Sequence, residues 1–409
     1  MLKSLPFDHS FIEEIAKKYP TPFYIYDEAG INNTADRLYK AFAWNKGFKN
    51  YFAVKALPNP SILMLLYKKG MKLDCSSLTE LMLAQRVVTT GLDIMFTSND
   101  TPAEEFVLAT KLGAIINLDD ISHLKFLKES ASLPSIIGFR YNPGRLGDGG
   151  NEIIGAPAEA KFGMTKDQIL EAIKMSKKLG IKKFGLHTMV ISNNLDQNKA
   201  QRTVDLITEL AKIIFDQEGI KLDFIDIGGG IGIPYRPEDR EFDIIAFGKS
   251  VKSIVEARLD YRPKLFMECG RYVTGPHGYL VSKVIHIKRT YKTFIGLDAS
   301  MNNLMRPGMY GAYHHITVLG KNTTNTQRYD VTGALCENND KFAVDRDLPE
   351  VKIGDYLVIH DVGAHGHAMG FNYNGKLRSA ELLLHTDHSV ELIRRAETPE
   401  DYFATLNIT

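Results

Sequence analysis

The pattern of hydrophobic and polar positions has two regimes. Between residues 51 and 268, short apolar runs rich in β-branched and aromatic residues recur at 51–55, 73–76, 94–97, 114–118, 136–141, 184–190, 224–227 and 265–268. Amphipathic stretches with helical spacing lie between them, among them 78–88, 104–112, 169–179, 200–215 and 244–259. Strands that alternate with helices predict parallel β/α architecture. Eight such units in about 250 residues predict a closed (β/α)8 TIM-type barrel, with an open doubly wound sheet as the competing arrangement. After Gly275 the rhythm changes. Runs at 279–288, 315–319, 329–332, 356–359, 380–385 and 390–394 read as strands, separated by turn material such as Asn338-Asn339-Asp340 and Asn374-Gly375. The expected fold class is therefore α/β plus all-β: the barrel, then a C-terminal β-sandwich or β-barrel. The expected domains are 28–274 and 1–27 plus 275–409, with the early strand 22–27 pairing into the β domain.

Composition narrows this little. The chain has 409 residues, enough for two cores. With 50 basic and 49 acidic side chains the net charge is +1, which gives no electrostatic case for nucleic acid or a membrane surface. No apolar run reaches the ~20 residues of a membrane helix. The first eleven residues lack the basic-then-apolar pattern of a signal peptide. Three cysteines in this length suit a reducing compartment, so a cytoplasmic location is expected.

In a β/α barrel, chemistry gathers where the strands end. The first predicted strand ends at Lys55 between apolar neighbours; desolvation there would favour a neutral, nucleophilic amine. It reads equally as the solvent end of a strand. The second ends in Asp74-Cys75-Ser76-Ser77 and the fifth in Arg140-Tyr141-Asn142-Pro143. The seventh leads into Gly228-Gly229-Gly230, which is either a backbone cradle for an anion or a flexible turn. The eighth ends Glu268-Cys269-Gly270-Arg271, a carboxylate and a guanidinium that could serve a cofactor or form a plain ion pair. Lysine, glycine triplet and carboxylate together match what a protein supplies to pyridoxal 5'-phosphate: a Schiff base, a phosphate cradle and a partner for the pyridine nitrogen. In the β region, Cys336 sits in a polar turn and Arg306 lies four residues before Tyr310, a possible carboxylate clamp. His365 and His367 alone make a poor metal site, so no metal is expected.

The ordered set 51-YFAVKA-56, 74-DCSSLTE-80, 161-KFG-163, 228-GGG-230, 268-ECGR-271 and Cys336-Glu337 resembles the alanine-racemase-fold (fold type III) pyridoxal-phosphate decarboxylases. Within them it is most similar to the diaminopimelate decarboxylases. The resemblance runs from about residue 22 to 384. It implies that Lys55 carries the cofactor and that Glu268 keeps the pyridine nitrogen protonated. Gly228, Gly229, Gly230, Gly270 and Arg271 would hold the phosphate, with Asp74, Arg140, His187, Ser192 and His365 completing the cofactor set. Arg271, Arg306, Tyr310 and Glu337 would bind the far end of the substrate. Cys336, as proton donor, and Glu337 would act in the partner subunit's site, making the enzyme a homodimer with shared active sites.

The implied reaction converts meso-2,6-diaminopimelate to L-lysine and CO2. A far-end carboxylate and ammonium require one cation and one anion, and an arginine clamp would repel a substrate that ends in an ammonium alone. The alternatives are the same chemistry on D-ornithine, D-lysine, ornithine or carboxynorspermidine, or a non-catalytic regulatory relative. The chain departs from the family pattern at Met189, where a ring-stacking histidine is usual, and at Ile191, where glycine is usual. It departs again at His365, in place of a tyrosine, and at Cys269, in place of a proline. Either Met189 covers the cofactor ring or His187 replaces the missing histidine.

Overall fold

The computed structural model describes residues 3–88, 91–146, 155–321 and 324–407. The chain divides into two compact units. The barrel unit comprises Asn32–Ile233 and Glu241–Val273; the sheet unit comprises Met1–Ile31, Pro234–Arg240 and Thr274–Thr409. The return of Pro234–Arg240 to the sheet unit is not visible in the hydrophobic pattern.

After a helix over His9–Lys18 comes the first strand, β1 (Phe23–Asp27), which belongs to the sheet unit. Eight strands follow: β2 (Lys49–Ala53), β3 (Lys72–Cys75), β4 (Ile94–Thr97), β5 (Ile115–Leu118), β6 (Ile136–Arg140), β7 (Lys183–His187), β8 (Phe224–Asp226) and β9 (Lys264–Met267). They close into a barrel in sequence order. All eight pairings are parallel, and Lys49 opposite Phe266 joins the last strand to the first. The barrel rather than the open sheet is thus the fold. Helix caps set several of the crossovers. Ser77 caps Leu78–Gln85. Thr165 and Gln168 form a capping box on Lys166–Lys178, satisfying two N–H groups that the helix cannot pair itself.

Tyr51, Met95, Ile115, Phe224 and Phe266 fill one interior layer. The Phe224 ring needs the absence of side chains across from it. A Cβ on Gly185 would lie 2.1 Å from this ring, and one on Gly138 3.1 Å from it. Two glycines on neighbouring strands therefore make room for one phenylalanine, the large-small alternation that a filled barrel requires.

The sheet unit contains β1, β10 (Gly278–Arg289), β11 (Thr293–Leu297), β12 (Ile316–Val318), β13 (Thr326–Thr332), β14 (Lys341–Pro349), β15 (Tyr356–Ile359), β16 (Ala380–Leu384) and β17 (Val390–Arg394). These nine strands form one mixed sheet. As the pattern predicted, β1 pairs into it, antiparallel to β10 and parallel to β16. Its core gathers Ile12, Phe23, Ile25, Val281, Val358 and Leu382. The strands at 293–297 and 341–349 escaped the sequence reading. The second is an edge strand carrying Asp345, Arg346 and Asp347. Charges protect a sheet edge from unwanted pairing but remove the alternation that reveals a strand.

Candidate active site at the C-terminal end of the barrel

The strands of the barrel end at a ring of polar groups. Lys55 lies one turn beyond β2, in a short 3-10 turn Val54–Ala56, rather than on the strand. Val54 and Ala56 are buried, as its sequence neighbours suggested, but the lysine side chain is exposed, so the desolvation expected for it is absent. Asp74 is the last residue but one of β3; Arg140 ends β6, His187 β7 and Asp226 β8; Glu268 follows β9. All five of these are buried. Their burial follows from position: each is the last inward-facing residue before the chain turns over the barrel mouth.

The His187 Nε2 lies 3.2 Å from Glu268 Oε2. Ligand-type atoms of His187, Asp226 and Glu268 all lie within 4.8 Å of one another. Asp226 Oδ1 accepts the Gly228 N–H at 2.8 Å. Its other oxygen, Asp74 Oδ1 and His187 Nδ1 have no hydrogen-bond partner among the described residues. Unpaired buried polar atoms are costly, and three at one end of the barrel mark a site built for something else. Burial raises Asp74, and repulsion from Glu268 adds to this, while Lys55 opposes it. Burial and Glu268 also raise Asp226, against the Gly228 hydrogen bond. Burial acts on Glu268 in the same direction, but His187, Lys55 and Arg140 outweigh it and hold Glu268 below its ordinary value. Among the three clustered carboxylates, Glu268 is thus the one whose charged form its neighbours favour.

Around this centre other side chains fix positions. Arg140 Nη1 bonds Asp119 at 3.0 Å and its guanidinium lies 4.5 Å from the Phe162 ring centroid. Asp119 also accepts the Gly163 N–H at 3.1 Å, which ties the 161-KFG-163 loop to the barrel. Asn50 grips the turn after Glu268 from both sides. It accepts the Cys269 N–H at 2.9 Å and donates to the Cys269 carbonyl at 3.1 Å. Proline at 269 would have no N–H to give, so cysteine here suits Asn50.

The glycine run packs backbone against backbone. Added Cβ atoms would lie 2.3 Å from the Thr188 carbonyl oxygen at Gly228, 2.6 Å from that of Glu268 at Gly229 and 2.2 Å from that of Ile191 at Gly230. Gly228 and Gly230 also have positive φ, 71° and 81°. The triplet is therefore required by the fold as well as available to an anion. The Gly229 N–H points at Met189 Sδ, 3.3 Å away. A thioether is a weak acceptor that a phosphate oxygen displaces readily. The lysine, the charged carboxylate and this glycine loop fit pyridoxal phosphate. Met189 reaches the glycine loop with its sulfur, and His187 is engaged by Glu268. Gly270, Arg271 and Ser192 also belong to the barrel unit, with Arg271 buried and Ser192 in the loop after β7.

The remaining expected site residues belong to the sheet unit. Arg306 is buried with its guanidinium 5.5 Å from the Tyr235 ring centroid, and Tyr310 is partly exposed. Cys336 is exposed, its N–H donating to Asn374 Oδ1 at 2.7 Å. Buried Asp340 steadies this loop by accepting the Leu335 N–H at 2.7 Å. Glu337 Oε1 accepts the Asn339 N–H at 3.1 Å. His365 stands at φ 56°. The sequence reading missed Asp226, Asp119 and Asn50. Asp226 was detectable as the acid that ends the seventh barrel strand; Asn50 and Asp119 act only through contacts distant in sequence.

The family described as "Pyridoxal-dependent decarboxylase, pyridoxal binding domain" matches residues 28–275. Protein TabA of Pseudomonas amygdali pv. tabaci is 46% identical over 96% of this chain and 92% of its own length. The diaminopimelate decarboxylase of Methanothermobacter thermautotrophicus is 35% identical over 97% of this chain and 94% of its own. Among solved structures, diaminopimelate decarboxylase from Helicobacter pylori complexed with L-lysine superposes with a TM-score of 0.89 at 29% identity, covering 96% of this chain and 98% of the other.

Proposed function

The chain belongs to the pyridoxal-dependent decarboxylase family, and from that premise we propose that it decarboxylates meso-2,6-diaminopimelate to L-lysine. The observation that carries the reading is the constellation of Lys55 beyond β2, Glu268 backed by His187, and the glycine loop after β8. When bound, pyridoxal phosphate supplies the electron sink for the bond that breaks. Lys55 would hold it covalently. Glu268, ionised by its neighbours, would keep a proton on the pyridine nitrogen. Gly228, Gly229, Gly230, Gly270 and Arg271 would take the phosphate, with Asp74, Arg140, Met189, Ser192 and His365 lining the cofactor. Arg271, Arg306 and Tyr310 would hold the distal carboxylate and Glu337 the distal ammonium. The Cys336 thiol would return the proton to the α carbon.

In this reading Cys336 and Glu337 serve the site of a second copy, so the active species is a homodimer, working in the cytoplasm. Among the described residues no helix is long and apolar enough to cross a membrane. Relatives named diaminopimelate decarboxylase align over nearly the whole chain, which supports the substrate. A second reading keeps the chemistry and changes the amino acid. It is favoured by Met189 and Ile191 and by the higher identity to TabA, whose name specifies no reaction.

Release of CO2 from a panel of diaminopimelate, lysine and ornithine stereoisomers and carboxynorspermidine decides between them. Fastest turnover on meso-diaminopimelate is expected; a faster substrate in the panel would replace it. Mixing Lys55→Ala with Cys336→Ala chains tests the shared site. Activity that neither parent has is expected, and its absence would place Cys336 in its own subunit's site.

A further inference from the structure

The opposite, N-terminal end of the barrel carries a cavity of about 110 Å³ that the chemistry above does not use. All its lining residues belong to the barrel unit. Its floor is the apolar layer of Tyr51, Ile115, Phe224 and Phe266, with the last two rings stacked 4.9 Å apart. Its rim is cationic. Lys49, Lys183 and Lys264 line it, and each is the first residue of its strand: β2, β7 and β9. In a parallel barrel all strands start at one end, so the register gathers three amines around one opening. Lys183 and Lys264 are exposed, and among the described residues neither has a carboxylate within ion-pair distance. Lys49 shares Asp93 with Lys72, at 3.6 and 2.9 Å. The one acid in the lining, Asp223, uses Oδ2 to accept the Phe184 N–H. Burial lowers Lys49 from its ordinary value, and the charges of Lys72 and Lys264 add to this against the pull of Asp93.

Barrels normally fill their interior with side chains, and the N-terminal face serves stability. Here the fill stops one layer short. The space is comparable to the ~150 Å³ of a protein cavity that holds benzene. Water on an aromatic floor finds few hydrogen-bond partners, so an apolar body gains by displacing it. The lysine rim adds charge complementarity for one anionic end. We propose that this mouth binds a small organic anion: an apolar body of about one benzene ring, seated on Phe224 and Phe266, with a carboxylate between Lys183 and Lys264. The site lies at the end of the barrel where the strands start, opposite the end at which Glu268 follows β9, and Glu268 is not among its lining residues.

The test uses holoenzyme with benzoate, its neutral isostere benzamide, and 4-bromobenzoate as an anomalous marker. Calorimetry should give saturable benzoate binding at least ~10-fold tighter than benzamide. The bromine should appear in crystals over Phe224 and Phe266. In Lys183→Ala/Lys264→Ala, benzoate affinity should fall at least ~10-fold, with the melting temperature of the unliganded enzyme unchanged. Equal affinity for acid and amide, undiminished binding in the double variant, or bromine found elsewhere would each overturn the proposal. Because the proposed site holds none of the cofactor residues, these outcomes are independent of which amino acid is decarboxylated.

Discussion

Asp226 and Asp93 are both buried carboxylates near the ends of barrel strands, and their titration is moved in opposite directions. Burial pushes both upward. At the N-terminal end, Lys72 at 2.9 Å and the Tyr67 hydroxyl at 2.9 Å reverse this for Asp93, which ends below its ordinary value. At the C-terminal end, the nearest charge to Asp226 is another anion, Glu268, and the backbone N–H of Gly228 does not compensate. Partners rather than depth set the sign. The N-terminal end settles its charges in pairs or leaves them in water. The C-terminal end accumulates unpaired buried groups, a cost the fold sustains only where function needs it.

The comparison is sharpened first at its largest expected effect. Lys55→Ala should abolish turnover and the visible absorption of the bound cofactor, read by CO2 release and spectrophotometry. Retained activity would remove chemistry from the C-terminal end. Cys336→Ala should cut turnover by about 10²–10⁴-fold, the usual range for a lost acid–base group, with the cofactor spectrum intact. An unchanged rate would assign the proton to another donor.

Asn50→Ala should cost about 1–3 kcal/mol for each of the two Cys269 backbone groups left unpaired, measured by urea unfolding. Turnover should fall with it, because Glu268 and Gly270 flank the released turn.

Asp226→Asn should have the opposite sign. Its folded-state value is raised, so the wild-type protein loses stability as pH rises from the unfolded-state value of about 3.9 through the folded one. The amide keeps the Gly228 hydrogen bond and does not titrate. Cofactor-free variant should be more stable at pH 8 by about 1–3 kcal/mol, the advantage shrinking as pH falls toward 4. Lower stability at pH 8 would mean that Asp226 is not repelled by Glu268. The smallest effect belongs to the other end. Lys72→Met should cost no more than ~1 kcal/mol and leave turnover unchanged, since Asp93 retains Lys49 and Tyr67.

Much of this was legible in the chain. Tyr51 to Ala53, Phe184 to Leu186 and Phe224 to Ile225 are apolar because a parallel barrel strand is buried on both faces, and that is a local property. The strand reading overran several strand ends by one to three residues, among them at Lys55, Ser76 and Glu268. It took Met189 and Val190 as strand, although the chain turns after His187. The motif residues were likewise found by order and spacing, with their roles resting on the family.

By itself, the sequence determined the alternation of strand and helix, the later β-rich region and the identity of the strand-end lysine, glycines and glutamate. These follow from periodicity and residue chemistry, both of which act over a few residues. Only the tertiary structure decided that eight strands close into a ring rather than an open sheet, because closure depends on the pairing of Lys49 with Phe266, more than two hundred residues apart. The same closure brings Glu268 against His187 and Asp226 and so sets the direction in which each carboxylate's titration is moved. At the other end it gathers Lys49, Lys183 and Lys264 over an apolar floor. A charge's surroundings are set by whatever the fold brings near it, and no short stretch of sequence contains that information.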